Sequence, residues 1–224
     1  MRFTTIKIPG TGAIRVLNEH RSRYPATGQY PFLIGDVEEL ERLQEMTEFN
    51  EQDPVDITRG SLEINAIKWI AGRRAEAEDY GYGSADSEGD WPGEIPDKGS
   101  VGLHKDVLTK EIKREVYLGI AAIEKPWHLP AVLRYRAWNE CPEAEVHCAF
   151  HRAWGADYGA EITGMSGDVV ECAVARPPMT REAVIKLAWE QYWYCADIVD
   201  QGCGTVANLA ATLLNSNYWY FWWD

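Results

Sequence analysis

The sequence is short of positive charge. It carries 22 Lys and Arg against 35 Asp and Glu, a formal net charge of −13. That deficit argues against a direct binder of nucleic-acid backbone, which needs a basic stripe. Long apolar runs are also missing: nothing approaches the roughly 18 residues that read as a membrane span, and the opening "MRFTTIKIPG" has no apolar signal-peptide core. We therefore expect a cytoplasmic protein that spans no membrane. Cysteine is absent before Cys141, and the five present (Cys141, Cys148, Cys172, Cys195, Cys203) include no Cys-x-x-Cys pair. The odd number and the spacing argue against a disulfide framework or a zinc knuckle, so the thiols read as reduced and mostly buried. A nucleophile elbow, a P-loop, a dinucleotide fingerprint and a zinc-protease motif are all lacking.

What is present is an ordinary globular composition, 46% apolar and 25% charged over 224 residues, with the acid concentrated in two places. Residues 36–56 hold nine acids, among them Glu38, Glu41 and Glu45, against Arg42 alone, and residues 76–97 hold eight acids and no base. Such blocks are either solvated surface or a negative face for a basic partner.

"FTTIKI" and "PFLIGD" read as strands. Asp36 reads as a helix N-cap, with Glu39 placed as in a capping box. A helix is expected over about 61–77, burying Leu62, Ala66, Ile67, Ile70 and Trp69. Residues 79–104, rich in Gly, Ser, Asp and Pro, read as a linker between an N-terminal α+β region (1–78) and a C-terminal domain (105–224). In that domain "REVYLGIAAIE" predicts a core strand and "AVLRYRAW" a half-exposed one. Asn139 is placed to cap a helix over 142–158 whose apolar face holds Val146, Ala149, Phe150, Ala153 and Trp154. A hairpin follows, turning at Ser166-Gly167. Thr180 caps a helix of about twenty residues, with Gln191 near the centre of its core face and bonded to backbone. Thr205 starts a shorter helix. The fold class expected is α+β: an antiparallel or mixed C-terminal sheet with packed helices, split β-α-β-like, preceded by the smaller N-terminal region.

The chain closes on "NYWYFWWD". Six successive aromatics do not alternate, so the tail reads as a strand apolar on both faces, covered inside a sheet. The alternative leaves one face open as an aromatic platform.

The stretches "AWNECP" (137–142), "YGAEITGMSGDVVECAVARPP" (158–178), "AWEQYWYCADIVDQGCGT" (188–205) and "YWYFWWD" (218–224) resemble the bacterial domain-of-unknown-function family 4253. The resemblance covers about residues 115–224, with "TGQYPFLIGD" (27–36) similar to the segment that often precedes it. It implies no activity and no catalytic residues.

Two constellations are candidates for chemistry. His147, Cys148 and His151 share one helix, and histidines four apart can share a metal, but all three fall at or beyond the edge of its apolar stripe and lack a further ligand. We expect surface and boundary residues there, no stoichiometric metal and no cofactor. On the 180–199 helix, Trp189, Glu190, Trp193, Asp197 and Asp200 fall opposite the core face. With Asn139 they form the candidate binding set, either covered by the N-terminal half or a second protomer or open as a groove for a cationic or amphipathic ligand. Two functions are carried forward. The first is a non-catalytic interaction module, of inhibitor or immunity type, for a protein with a basic surface. The alternative is a small hydrolase or transferase with a carboxylate site at Glu190, Asp197 and Asp200. The oligomeric state stays open.

Overall fold

The first strand, exposed from Thr4 to Lys7, lies at the rim of a sheet that the rest of the chain completes. The structure is a computed structural model that describes residues 3–80, 88–95, 98–136 and 139–224. In chain order its main elements are β1 (Phe3–Pro9), α1 (Ala13–Thr27), β2 (Gln29–Gly35), α2 (Val37–Phe49), α3 (Pro54–Glu63), α4 (Ala66–Tyr80) and β3 (Glu115–Ala122). There follow α5 (Leu129–Leu133), α6 (Ala144–Tyr158), β4 (Ala160–Met165), β5 (Val169–Val174), α7 (Arg181–Tyr194), α8 (Val206–Leu213) and β6 (Tyr218–Trp222). The protein is α+β, as expected. Its six strands form one mixed sheet in the order β1-β3-β2-β4-β5-β6. All pairings are antiparallel except β2 with β4, which meet in parallel at Leu33 and Gly164. β2, from before the expected linker, lies between β3 and β4, from after it.

Each strand sorts its side chains by the two-residue period. On one face Tyr30, Phe32, Ile34, Cys172, Trp219 and Phe221 join the main core, which α2, α6, α7 and α8 cover. On the other, Leu33, Val116, Leu118 and Ile120 meet Ala13 and Leu17 of α1 and Leu103 of the 98–105 segment. The centre is close-packed: a Cβ on Gly119 would stand 2.3 Å from the Phe32 ring, so only glycine lets that ring lie across β3.

Within the 79–104 stretch, residues 81–87, 96 and 97 lie outside the described residues. The described parts return to the body. Glu88 accepts a backbone hydrogen bond from Ala207 (2.8 Å). The buried Glu171 carboxylate accepts from the amides of Gly102 (2.6 Å) and Leu103 (3.4 Å) and from the Tyr218 hydroxyl (2.7 Å). That cluster straps 98–105 over β5 and β6, and its satisfied acceptors make a buried carboxylate tolerable.

Several local expectations are corrected. The helix over 61–77 is two helices, because the Asn65 side chain accepts from the Lys68 amide (3.0 Å) and starts a new one. Leu62 and Ile67 consequently face water (54% and 73% exposed). "AVLRYRAW" is not a strand in its described residues: Pro130 opens the short helix α5, and Arg134 ends it in the left-handed conformation (φ 49°). Asn139 does not cap α6, whose N-cap is Glu143; it adopts φ 52° well before that helix. α7 stops at Tyr194, and a π-helical turn (Ile198–Cys203) carries the chain to Gly204 (φ 81°). Gln191 is buried, but neither of its amide atoms has a hydrogen-bond partner among the described residues, so the expected backbone bond is not made.

The tail is a strand, but at the sheet's edge and not inside it. Trp219, Phe221 and Trp223 fill the core, whereas Tyr220 is 38% exposed and Tyr218 and Trp222 are half-buried beside the strap. Two outward carbonyls are occupied: Trp222 accepts from the Cys195 thiol (3.0 Å) and Tyr218 from the Ser216 hydroxyl (3.0 Å). Edge strands left open invite further pairing, and these bonds blunt the edge.

Candidate functional site

The first acid block folds into a surface helix. Asp36 caps α2 by accepting from the amides of Glu38 (3.1 Å) and Glu39 (3.2 Å). Leu40 and Leu43 turn to the core, so Glu38, Glu41, Glu45 and Glu48, three or four residues apart, share the wet side. Arg42 answers them poorly: its guanidinium is 3.7 Å from Glu39 and 4.0 Å from Asp168. In the second block, Asp86 and Asp97 lie outside the described residues, while Glu88, Asp90 and Glu94 are exposed.

The α2 stripe ends beside a cleft of about 310 Å³ lined by Arg42, Glu45, Gly167, Asp168, Trp223 and Asp224. Three elements build it: α2, the β4–β5 turn and the chain just after β6. Asp168 holds the turn by accepting from Ser166 Oγ (3.2 Å), and its carbonyl accepts from the Trp223 amide (3.1 Å). Two of the residues picked from sequence meet here. Asn139 donates through Nδ2 to the Asp224 carbonyl, and Asp197 accepts from the Asp224 amide (3.1 Å). They clamp the backbone that forms one wall. Two fully buried donors, the Trp223 indole N–H and the Tyr135 hydroxyl, have no acceptor among the described residues. The buried Glu39 Oε2 likewise has no hydrogen-bond partner among the described residues; desolvation, then the nearby Asp168 charge, pushes the Glu39 carboxyl up against the opposing pull of the Ser166 hydroxyl.

The remaining sequence candidates stand in other surroundings. Trp189 and Trp193 are half-buried and stacked (centroids 6.4 Å apart, 20° between planes), and the Trp189 indole donates to the Glu88 carboxylate (3.1 Å). The acidic segment thus partly covers the pair. Glu190 is half-buried; burial raises its carboxyl, and its charged neighbours are Lys186 and Asp157. Asp200 is also shifted up, by desolvation first and then by Asp197. The cleft beside α2 includes none of Glu190, Asp197 and Asp200, nor does another of about 330 Å³ lined by Lys7, Asp36, Val37, Lys113, Arg114, Glu115 and Tyr117.

His147, Cys148 and His151 are buried, not surface or boundary residues, because α6 is wrapped by the sheet, α3, α4 and α5. The imidazoles belong to a chain of five groups. Cys141 Sγ lies 3.3 Å from His147 Nε2, His147 Nδ1 meets the Tyr194 hydroxyl, that hydroxyl lies 3.3 Å from His151 Nε2, and His151 Nδ1 lies 3.8 Å from Cys172 Sγ. Read in either direction, each neutral imidazole donates once and accepts once. Desolvation drives both imidazole pKa values down, His151 to about 3 and His147 well below its ordinary range. Among the described residues no group of three or more His, Cys, Asp or Glu is placed to hold a metal. With both imidazoles buried and hydrogen-bonded in this chain, elemental analysis of untagged protein should find less than about one zinc or iron per chain; one metal per chain, lost when His147 and His151 are replaced, would contradict this reading.

The geometry defines a class: an α+β protein on one mixed sheet, with an acidic cleft where its last strand meets α2. Residues 117–224 match the family model described as domain of unknown function (DUF4253), the family whose motifs that stretch resembles. No curated protein and no solved structure matches the chain. No helix among the described residues is long and apolar enough to cross a membrane. The sequence offered no signal for Tyr135, Asp168 or Trp223 as a group, since they come from three separate segments. Trp223 was legible only as an aromatic in a strand.

Proposed function

We propose that this protein is a cytoplasmic, non-catalytic interaction module, of inhibitor or immunity type, that binds a protein with a basic surface. The carrying observation is the continuity of negative charge: Glu38, Glu41, Glu45 and Glu48 on the wet side of α2 run into a cleft whose further acids are Asp168 and Asp224. Exposed carboxylates this close repel one another, and a counter-charged partner relieves that repulsion while steering encounter. Desolvation of aromatics then slows release, a role for Trp193, half-buried and stacked on Trp189. Carboxylates alone do not make an acid–base site, and the charged groups acting on Glu190 (Lys186 and Asp157) differ from the one acting on Asp200 (Asp197).

The test begins with affinity capture and mass spectrometry to name the partner, followed by surface plasmon resonance with purified components. Replacing Glu38, Glu41 and Glu45 by Lys should slow association several-fold at low salt, with the difference shrinking as salt screens it. Trp193→Ala should quicken dissociation. If neither change alters binding while Glu190→Gln abolishes turnover of a small molecule, a hydrolase or transferase takes the module's place.

A further inference from the structure

We propose that the hairpin over residues 104–113 seats the protein on an anionic lipid bilayer, with its Val107–Leu108 tip entering the headgroup layer. This contact is separate from the one proposed for α2. At the hairpin's base the Lys113 amide donates to the His104 carbonyl (2.9 Å), and Lys105 bridges antiparallel to Ile112. Its apex is held from within. Asp106 Oδ1 accepts from the amides of Leu108 (3.0 Å) and Thr109 (2.8 Å), the Asp106 carbonyl accepts from the Lys110 amide (3.0 Å), and Lys110 turns the chain at φ 62°. Turn apices are ordinarily built from polar residues and glycine. This one carries Val107 and Leu108, 67% and 88% exposed, with Ile112 close behind at 50%.

Two observations favour a bilayer over a protein groove. The first is charge. Across residues 105–114, Lys105, Lys110, Lys113 and Arg114 stand against Asp106 and Glu111, in a chain of 22 bases and 35 acids. Bridged residues and every second residue of a ladder share a face, so Lys105, Ile112 and Arg114 point one way. That side is outward: Ile112 and Arg114 are exposed and Lys105 is half-exposed, whereas His104 is buried and Lys113 turns back to Asp36 (2.7 Å). An apolar tip with a basic collar is what an anionic leaflet retains. The second observation is hydrogen bonding. The amides of Asp106, Leu108, Thr109, Lys110 and Glu111 all find acceptors inside the hairpin. A protein groove can offer partners to the amides of a loop, but lipid cannot, so a tip that satisfies itself enters an apolar layer without that penalty. The acids of the body oppose the approach. At about 0.1 M salt, charges farther than about 10 Å are largely screened, and the collar nearest the surface decides.

The test is co-sedimentation of the full chain with vesicles at about 0.1 M salt, one set of phosphatidylcholine alone and one with about one-third phosphatidylglycerol. The chain should bind the anionic vesicles and leave the neutral ones. Leu108→Asp should weaken that binding at least about tenfold, because a charge replaces the apolar group that enters the surface. Lys110→Glu with Arg114→Glu should also weaken it at least about tenfold, through two collar charges reversed. Leu108→Trp should tighten it, since tryptophan favours the membrane–water interface. All three positions are exposed, so the urea midpoint of each variant should match the parent's; should Leu108→Asp shift it, Leu108→Ser reads the same apolar loss. No binding of the parent chain to anionic vesicles at millimolar lipid overturns the proposal, as does equal binding to neutral ones. Leu108→Asp that folds and binds as well as the parent overturns it too. If vesicles are ignored while Leu108→Asp abolishes association with a captured protein, the tip is a protein contact and the bilayer proposal falls.

Discussion

Deleting residues 217–224 should leave a chain that is insoluble or molten. Trp219, Phe221 and Trp223 are each 1% exposed or less and make ring contacts with Trp154, Tyr194, His147, Tyr135 and Tyr158. Removing one buried Phe or Trp side chain costs about 3–5 kcal/mol, and whole domains are stable by only about 5–15 kcal/mol. The deletion removes all three rings, uncovers β5 and frees Tyr218 from Glu171. A graded control separates core from edge. Trp219→Ala should cost about 3–5 kcal/mol in urea titration, whereas Tyr220→Ala, at 38% exposure, should cost under about 1 kcal/mol. A truncated chain that melts cooperatively near the intact temperature would refute this assignment of the tail.

Mild acid should destabilise the protein steeply, through His147 and His151. Both are buried in neutral form with folded pKa values depressed by desolvation, His151 to about 3. In the unfolded chain they titrate near about 6.5. As pH falls below that value the unfolded state takes up protons that the folded state refuses. Stability present at neutral pH is therefore lost progressively down to the folded values, by up to about 1.4 kcal/mol per pH unit for each histidine. His104 and His128, also lowered by desolvation, add in the same direction. Glu39, Glu171, Glu190 and Asp200 are shifted upward by burial and act with the opposite sign, so the histidine contribution is isolated by the His151 variant. Urea titrations at pH 7.5, 6.5 and 5.5 measure the slope. His151→Gln should reduce it by about one proton's worth, whatever it does to stability at neutral pH. An unchanged slope in that variant would show that His151 already exchanges protons in the folded state.

Features set by neighbouring residues were legible in the sequence. The caps at Asp36, Thr180 and Thr205, the hairpin at Ser166-Gly167 and the core faces of α7 and α8 depend on spacing within a few residues, and each is found in the fold. Where local signals competed, the reading failed. Pro130 can open a helix as readily as alternation can suggest a strand, and Asn65 can break a helix that apolar period alone would continue. The imidazoles of α6 sat at the edge of one stripe; only packing on several sides buries them, so a metal-like spacing became a chain of hydrogen bonds through Tyr194 and two thiols.

By itself, then, the sequence determined the α+β class, the strand nature of the aromatic tail and the negative charge of α2, because periodicity, propensity and charge are properties of short segments. Only the tertiary structure decided that β2 lies between β3 and β4 and that β6 takes an edge. Tertiary packing also brought Glu45, Asp168 and Asp224 around one cleft. Strand order and the meeting of distant carboxylates arise from burying both faces of one sheet at once, and no single segment carries that information.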